Sequence, residues 1–126
     1  MERLRSEALP KERRLAKRRE FVRVYDTGRK HFSRYSVLFV APNGLPHSRI
    51  GITATKKTGK ANVRNRLKRW TREVYRRQRE PLGIDASGLD IVVNVKPNAV
   101  TTTFEDYGRD LTRALERVVT ESRRTP

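Results

Sequence analysis

The chain has 126 residues, enough for one domain around one modest core. Thirty Lys and Arg against fourteen Asp and Glu give a net charge of +16 and a pI near 11.3, a field that attracts phosphate polymers with an affinity that falls steeply with salt. There is no cysteine, hence no disulfide framework, thiol nucleophile or zinc knuckle; no apolar run approaches a membrane span and the first residues lack a signal peptide's apolar core, so a cytoplasmic protein with no membrane partner is expected.

Residues 1–12 read as a flexible basic arm, 13–122 as a single domain and 123–126 as a frayed tail. From Lys11 the pattern turns helical. Leu15, Phe21, Val22 and Tyr25 share one side, and Arg13, Arg14, Lys17, Arg18 and Arg19 cover the other. Thr27-Gly28 stops this helix, with Gly28 as a left-handed cap. Phe21 and Tyr25 stand four apart on one face. Aromatics at that spacing serve core packing, or, flanked by so many arginines, stacking on unpaired bases; the spacing leaves both open.

Residues 33–41, SRYSVLFVA, form the first predicted strand, with Tyr35, Val37 and Phe39 on one side and Ser36, Leu38 and Val40 on the other. Pro42-Asn43-Gly44 and Pro46 supply turn chemistry, and residues 49–55 a second strand. The two are expected to pair as an antiparallel hairpin with a long loop. Gly51 either admits a close neighbour or is incidental.

Residues 56–79 read KKTGKANVRNRLKRWTREVYRRQR. Val63, Leu67, Trp70 and Val74 recur at helical spacing and fall within an arc of roughly 60°, a stripe able to seat on a core. Arg64, Lys68, Arg72 and Arg76 step by four on the other side, with Asn65 and Arg69 beside them, and Glu73 cannot neutralise them. The predicted rod is about 30 Å long, apolar on one side and strongly positive on the other. A solvated charged face is one reading. Like charges at i,i+4 cost about 0.2–0.5 kcal/mol per pair, however, and a polyanion would relieve them. Thr58-Gly59 lacks the second glycine and the Lys-Ser/Thr of a phosphate-binding P-loop.

Residues 81–88 read as a loop and 89–96 as a third strand, whose run Ile91-Val92-Val93 places it centrally, buried on both faces. Thr103 and Asp106 resemble a capping box before a last helix with the stripe Phe104, Tyr107, Leu111, Leu115 and Val118; from Glu121 the chain is expected to fray. A helix between two strands implies a crossover and a small two-layer sheet-and-helix domain, for which a right-handed connection is the usual expectation.

No catalytic constellation emerges. Asp85, Asp90, Glu105, Asp106 and Asp110 are dispersed over a loop, a strand start and a helix, and no Ser or His has a nucleophile setting. Asp106 and Asp110 are expected to cap and face solvent. His31 and His47 are isolated and read as surface residues rather than metal ligands.

The run Lys56-Lys57-Thr58-Gly59-Lys60-Ala61-Asn62-Val63-Arg64-Asn65-Arg66-Leu67-Lys68-Arg69, followed by Arg72-Glu73, closely resembles KKxGxAxxRNRxKRxxRE, the signature of the bacterial ribonuclease P protein subunit family. Arg14-Leu15, Glu20-Phe21, Val24-Tyr25 and Gly28 resemble the family's first helix and glycine stop, and the likeness spans residues 13–119. The resemblance implies an α+β sandwich of the kind seen in the second domain of ribosomal protein S5: a small mixed sheet, three helices and an unusual left-handed βαβ crossover. It implies a protein subunit of an endonuclease that removes the 5′ leader of precursor tRNA, with catalysis by an RNA subunit and its Mg²⁺, and a one-to-one complex of monomeric protein with that RNA. Carried over by residue, Lys56, Lys57, Arg64, Asn65, Arg66, Lys68, Arg69 and Arg72 would bind the catalytic RNA, chiefly its phosphates. Phe21, Tyr25 and Phe39, with Lys17 and Arg13, would line a leader cleft between the first helix and the sheet. Trp70 lies on the apolar stripe and is assigned to the core. Asn62 stands where the family varies, and needs a hydrogen-bond partner if it faces inward. The rival readings are a structural RNA binder, a small DNA-binding protein and an autonomous nuclease. The extended signature and the cleft aromatics disfavour the first, the lack of a recognition-helix module or dimer seam the second, and the dispersed carboxylates the third.

Overall fold

A computed structural model describes residues 9–124. It contains four strands, β1 (Arg29–Phe32), β2 (Ser36–Pro42), β3 (Arg49–Thr53) and β4 (Leu89–Val95), and three helices, α1 (Arg18–Thr27), α2 (Ala61–Gln78) and α3 (Phe104–Arg124). The sheet order is β1-β2-β4-β3. β4 runs antiparallel to β2 and parallel to β3, so β3–α2–β4 is the expected crossover.

The antiparallel hairpin expected between β2 and β3 does not form, because β4 lies between them. The cause is the apolar run recognised in the sequence. Ile91, Val92 and Val93 are fully buried, and a strand apolar on both faces needs neighbours on both edges and cover above and below. β1 was not anticipated. Its sequence RKHF has no β-branched residue, and pairing with β2, Lys30 opposite Phe39 and Phe32 opposite Val37, makes it a strand.

The two faces of the sheet carry separate cores. On one, Leu38, Val40, Ile91 and Val93 meet Leu67, Val74 and Tyr75 of α2 and Tyr107, Leu111, Leu115 and Val118 of α3. Thr71 links the helices: its hydroxyl lies 2.6 Å from the Tyr107 hydroxyl and donates to Leu67 O. Trp70 is partly buried, with its ring 5.7 Å from Phe104 and 6.0 Å from Tyr107, in keeping with its assignment to the core. On the other face α1 packs Val24 onto Ala41 and Val92, with Leu15, Phe21, Tyr25 and Phe39 around them. The α+β sandwich of a mixed sheet and three helices is as expected, and the short first helix has a face of the sheet to itself.

The start of the domain differs from its reading. Residues 11–17 do not extend α1. A single 3-10 turn covers Lys11–Arg13, then Arg14 bridges to Ile50 and Leu15 N–H donates to Ile50 O, so Leu15 enters the core from an extended segment. With α1 beginning at Arg18, Val24 faces inward and Val22 is 42% exposed, reversing the expectation for Val22. Gly28 is not a left-handed cap, since its φ of −85° and ψ of 162° are extended. Its need is spatial: a Cβ would lie 2.5 Å from Val24 O and 2.9 Å from Val40 O. Gly51 is likewise a close-approach glycine, where a Cβ would lie 2.6 Å from the Phe21 ring.

At the other end the expected loss of helix at Glu121 does not occur, because α3 runs through Arg124. Thr103 accepts the Asp106 N–H at 3.1 Å, as the capping reading required. Asp110 does not simply face solvent: its carboxylate accepts the backbone N–H groups of Arg34 and Tyr35 and ties the β1–β2 turn to α3. Positions 1–8 of the expected arm and 125–126 of the expected tail lie outside the described residues.

Candidate RNA-binding surface

α2 begins after a 3-10 turn, Lys56–Thr58, that buries Thr58 and leaves Lys56 and Lys57 exposed. Gly59 follows at φ 140°, a conformation suited to glycine, and the Arg64 guanidinium braces this turn by donating to Gly59 O. Leu67, Thr71, Val74 and Tyr75 pin one side of α2 to the core. Asn65, Arg69 and Arg72 are exposed on the outside; Arg64, Arg66 and Lys68 are half-buried at the flanks. Asn62 is exposed, so it raises no question of burial.

The positive face is not uniform. Glu73 takes Arg76 at 2.6 Å and Arg77 at 2.8 Å, so the C-terminal turn is partly neutralised, contrary to expectation. The hydrogen bond from Arg76 leads in holding the Glu73 carboxyl below its ordinary value. Arg66 is also committed in part: its guanidinium lies 5.4 Å from the Trp70 ring centre and donates to Val100 O. Among the described residues, Lys68, Arg69 and Arg72 have no acidic partner, which concentrates free charge on the middle of α2.

The predicted leader residues separate into two groups. Phe21, Tyr25 and Phe39 come together on the α1 face, half-exposed, with Tyr25 edge-on to Phe39 at 4.8 Å. The Tyr25 hydroxyl donates to Asn94 Oδ1 at 2.8 Å, and the Lys30 ammonium stands 5.6 Å from the Phe39 ring centre. These rings therefore pack, as the core reading required, and also leave part of their surface open. Lys17 is exposed just before α1, where its N–H and that of Ala16 donate to Glu20. Arg13 is not with them: its Nε lies 3.5 Å from Asp85, a carboxylate it shares with Arg79.

A groove of about 370 Å³ joins the two surfaces, with Lys68 and Arg72 of α2 on one wall, Phe21 on another, Gly51 and Ile52 on its floor, and Lys11 and Arg14 at its rim. Neither Lys11 nor Arg14 was assigned to a binding site from the sequence. Their place depends on the extended segment 14–17, which no helical pattern could reveal.

An ion cluster fixes α1 over the sheet. The fully buried Asp90 accepts from Arg49 Nε (2.9 Å) and Nη2 (2.7 Å), Arg23 Nη2 (2.7 Å) and Asn43 Nδ2 (2.9 Å). Arg49 also donates to Glu20 at 3.0 Å. Burial would raise the Asp90 carboxyl, but hydrogen bonds from Arg49, Asn43 and Arg23 outweigh it and hold the group below its ordinary value. The sequence reading missed this cluster. The available signal was an acid directly before the doubly buried run Ile91-Val92-Val93, which must find a cation.

Among the described residues no three or more His, Asp or Glu gather in a way that could hold a metal ion, and no helix is long and apolar enough to cross a membrane. Burial lowers the His31 value, and His47 Nε2 lies 3.2 Å from Glu12 O.

These features define a class: a small α+β RNA-binding protein with a cationic helix and an aromatic sheet face joined by one groove. Known proteins narrow it. The family described as Ribonuclease P matches residues 9–119. The ribonuclease P protein component of Thermotoga maritima is 41% identical over 88 residues, 70% of this chain and 73% of the relative. The solved structure of the RNase P protein from Thermotoga maritima superposes with a TM-score of 0.75 at 34% identity, over 82% of this chain and 96% of that one. A Staphylococcus aureus RNase P protein mutant with defective mRNA degradation activity gives 0.76 at 28% identity, over 86% and 89%. The chain belongs to the ribonuclease P protein family. Its part in tRNA processing is that of the protein subunit, and its partner is the ribonuclease P RNA.

Proposed function

We propose that α2 and the 56–58 turn bind the catalytic RNA while the α1 face holds the 5′ leader of precursor tRNA, so that the protein positions substrate on a catalyst made of RNA. The groove carries this reading: one channel is walled by Lys68 and Arg72 on the RNA side and by Phe21 on the leader side. Lys56, Lys57, Arg64, Lys68, Arg69 and Arg72 would neutralise phosphates, Asn65 would donate a hydrogen bond to one, and Arg66 would add a donor at the Trp70 edge. Phe21, Tyr25 and Phe39 would stack on leader bases, with Lys17 supplying charge. Arg13 is better suited to bracing Asp85.

Mg²⁺ does not fit the described residues. No carboxylate cluster is available among the described residues, and the Asp90 oxygens are filled by Arg23, Arg49 and Asn43. In this reading the ion belongs with the RNA, bond cleavage occurs there, and the complex is one-to-one, in the cytoplasm.

The test is reconstitution with a bacterial ribonuclease P RNA and end-labelled precursor tRNA at low Mg²⁺. Wild-type protein promotes accurate 5′ cleavage. The double variant Arg69→Ala/Arg72→Ala weakens RNA binding and makes the log–log salt slope shallower by about 2, roughly one per phosphate contact. Tight RNA binding without promotion of cleavage would make the protein a structural RNA binder instead. Cleavage without any RNA subunit would place catalysis on this chain.

A further inference from the structure

Phe32 is 66% exposed, more than any other large apolar side chain among the described residues. A lone exposed aromatic needs no explanation, but Phe32 is not alone. The β1–β2 register pairs Lys30 with Phe39 and Phe32 with Val37, which puts Phe32 and Lys30 on the same sheet face as Phe39. The diagonal from Phe32 to Phe39 across the two strands is therefore about 7–8 Å, which an unstacked single strand bridges in one nucleotide step.

Both rings line a groove of about 320 Å³, with Lys30, Lys96, Thr53 and Asn94 around it. The Lys96 ammonium is fixed there by donating to Ser33 O at 2.8 Å, and Arg117 holds the strand end by donating to Phe32 O at 2.9 Å. An exposed ring with cations on two sides suits a base and its phosphates. An apolar protein surface laid over it would bury two ammonium groups without carboxylate partners.

We propose that Phe32, between Lys30 and Lys96, is a further base-stacking position that takes a 5′-leader nucleotide beyond the one at Tyr25 and Phe39; this rests on the leader reading above. Stacking accepts any base, so the position senses leader length rather than leader sequence.

The experiment uses the reconstituted holoenzyme and precursor tRNAs whose leaders are shortened one nucleotide at a time, with affinity measured for wild type, Phe32→Ala, Phe32→Trp and Tyr25→Ala. For wild type, affinity rises in steps with leader length. Phe32→Ala removes the outermost step, a loss of roughly tenfold confined to the longer leaders, and Phe32→Trp keeps it. Tyr25→Ala removes an inner step. The Phe32 position is overturned if Phe32→Ala changes no step, changes all leader lengths equally, or acts only by altering self-association in sedimentation. The underlying leader reading fails separately, if wild type shows no dependence on leader length and Tyr25→Ala behaves like wild type. Because the Phe32 side chain is exposed, an unchanged melting temperature for both Phe32 variants verifies that the fold is not what was altered.

Discussion

Asp90→Ala is the sharpest test of how α1 is held. The substitution removes the acceptor for Arg49, Arg23 and Asn43 while leaving two guanidinium groups beside a fully buried position. Removing one partner of a buried pair costs about 3–5 kcal/mol. The lower end applies, because the Arg23 side chain is 42% exposed and can turn to water, whereas that of Arg49 is 21% exposed and keeps only Glu20. With an m-value near 2 kcal/mol/M, a loss of about 3 kcal/mol lowers the urea midpoint by about 1.5 M at unchanged slope. The pH dependence follows the same group. Its folded value lies below the ordinary 3.8, so its contribution is complete above about pH 4 and is lost as pH falls through the folded value. Asp90→Asn should therefore lose stability at neutral pH and show a flatter decline below pH 4 than wild type. Because α2 is anchored on the opposite face, RNA-subunit binding should persist while leader-dependent affinity falls. A urea midpoint for Asp90→Ala within about 0.3 M of wild type would refute the reasoning, since the cluster would then contribute little beyond a surface pair.

Two glycines give further tests. Gly28→Ala sets a methyl group against the backbone oxygens of Val24 and Val40, neither of which can move without shifting α1 or β2, and should cost about 1–3 kcal/mol in chemical denaturation. Gly51→Ala meets the half-exposed Phe21 ring, which can swing away, so stability should change less and leader affinity should fall with RNA-subunit binding intact, as filter binding of each component would show.

What could be read from the sequence was what repeats locally. The α3 stripe and the run 91–93 carry their period in adjacent residues and appear as expected, with Phe104 partly buried; the α2 stripe does so at Leu67 and Val74, while Val63 and Trp70 are partly buried and Thr71 and Tyr75 join it. The misreadings of the sheet and of residues 14–17 concern partners distant in the chain. The pairing of β2 and β3 was inferred from their succession, but β4, some forty residues later, fits between them. β1 is a strand only because β2 offers an edge, and residues 14–17 are extended only because Ile50 does. On the site, Arg69 stands exposed as a helical wheel requires and Arg66 leans on Trp70 one turn along the same helix, whereas Arg13 turns to Asp85, a neighbour that no local spacing encodes.

The central place of β4 also constrains how the protein is made. β2 and β3 both take their main ladder from β4, whose residues 89–95 are synthesised after α2 is complete. A nascent chain reaching residue 88 can close the β1–β2 hairpin, but neither face of the sheet has its middle. The cationic helix thus leaves the ribosome before the core that will orient it, next to ribosomal RNA of the same chemistry as its partner. Such non-local closure makes folding slow compared with helix formation. Productive assembly with the ribonuclease P RNA therefore waits on β4 and on α3 behind it, and mutations that weaken β4 should lower the yield of complex before they alter its activity.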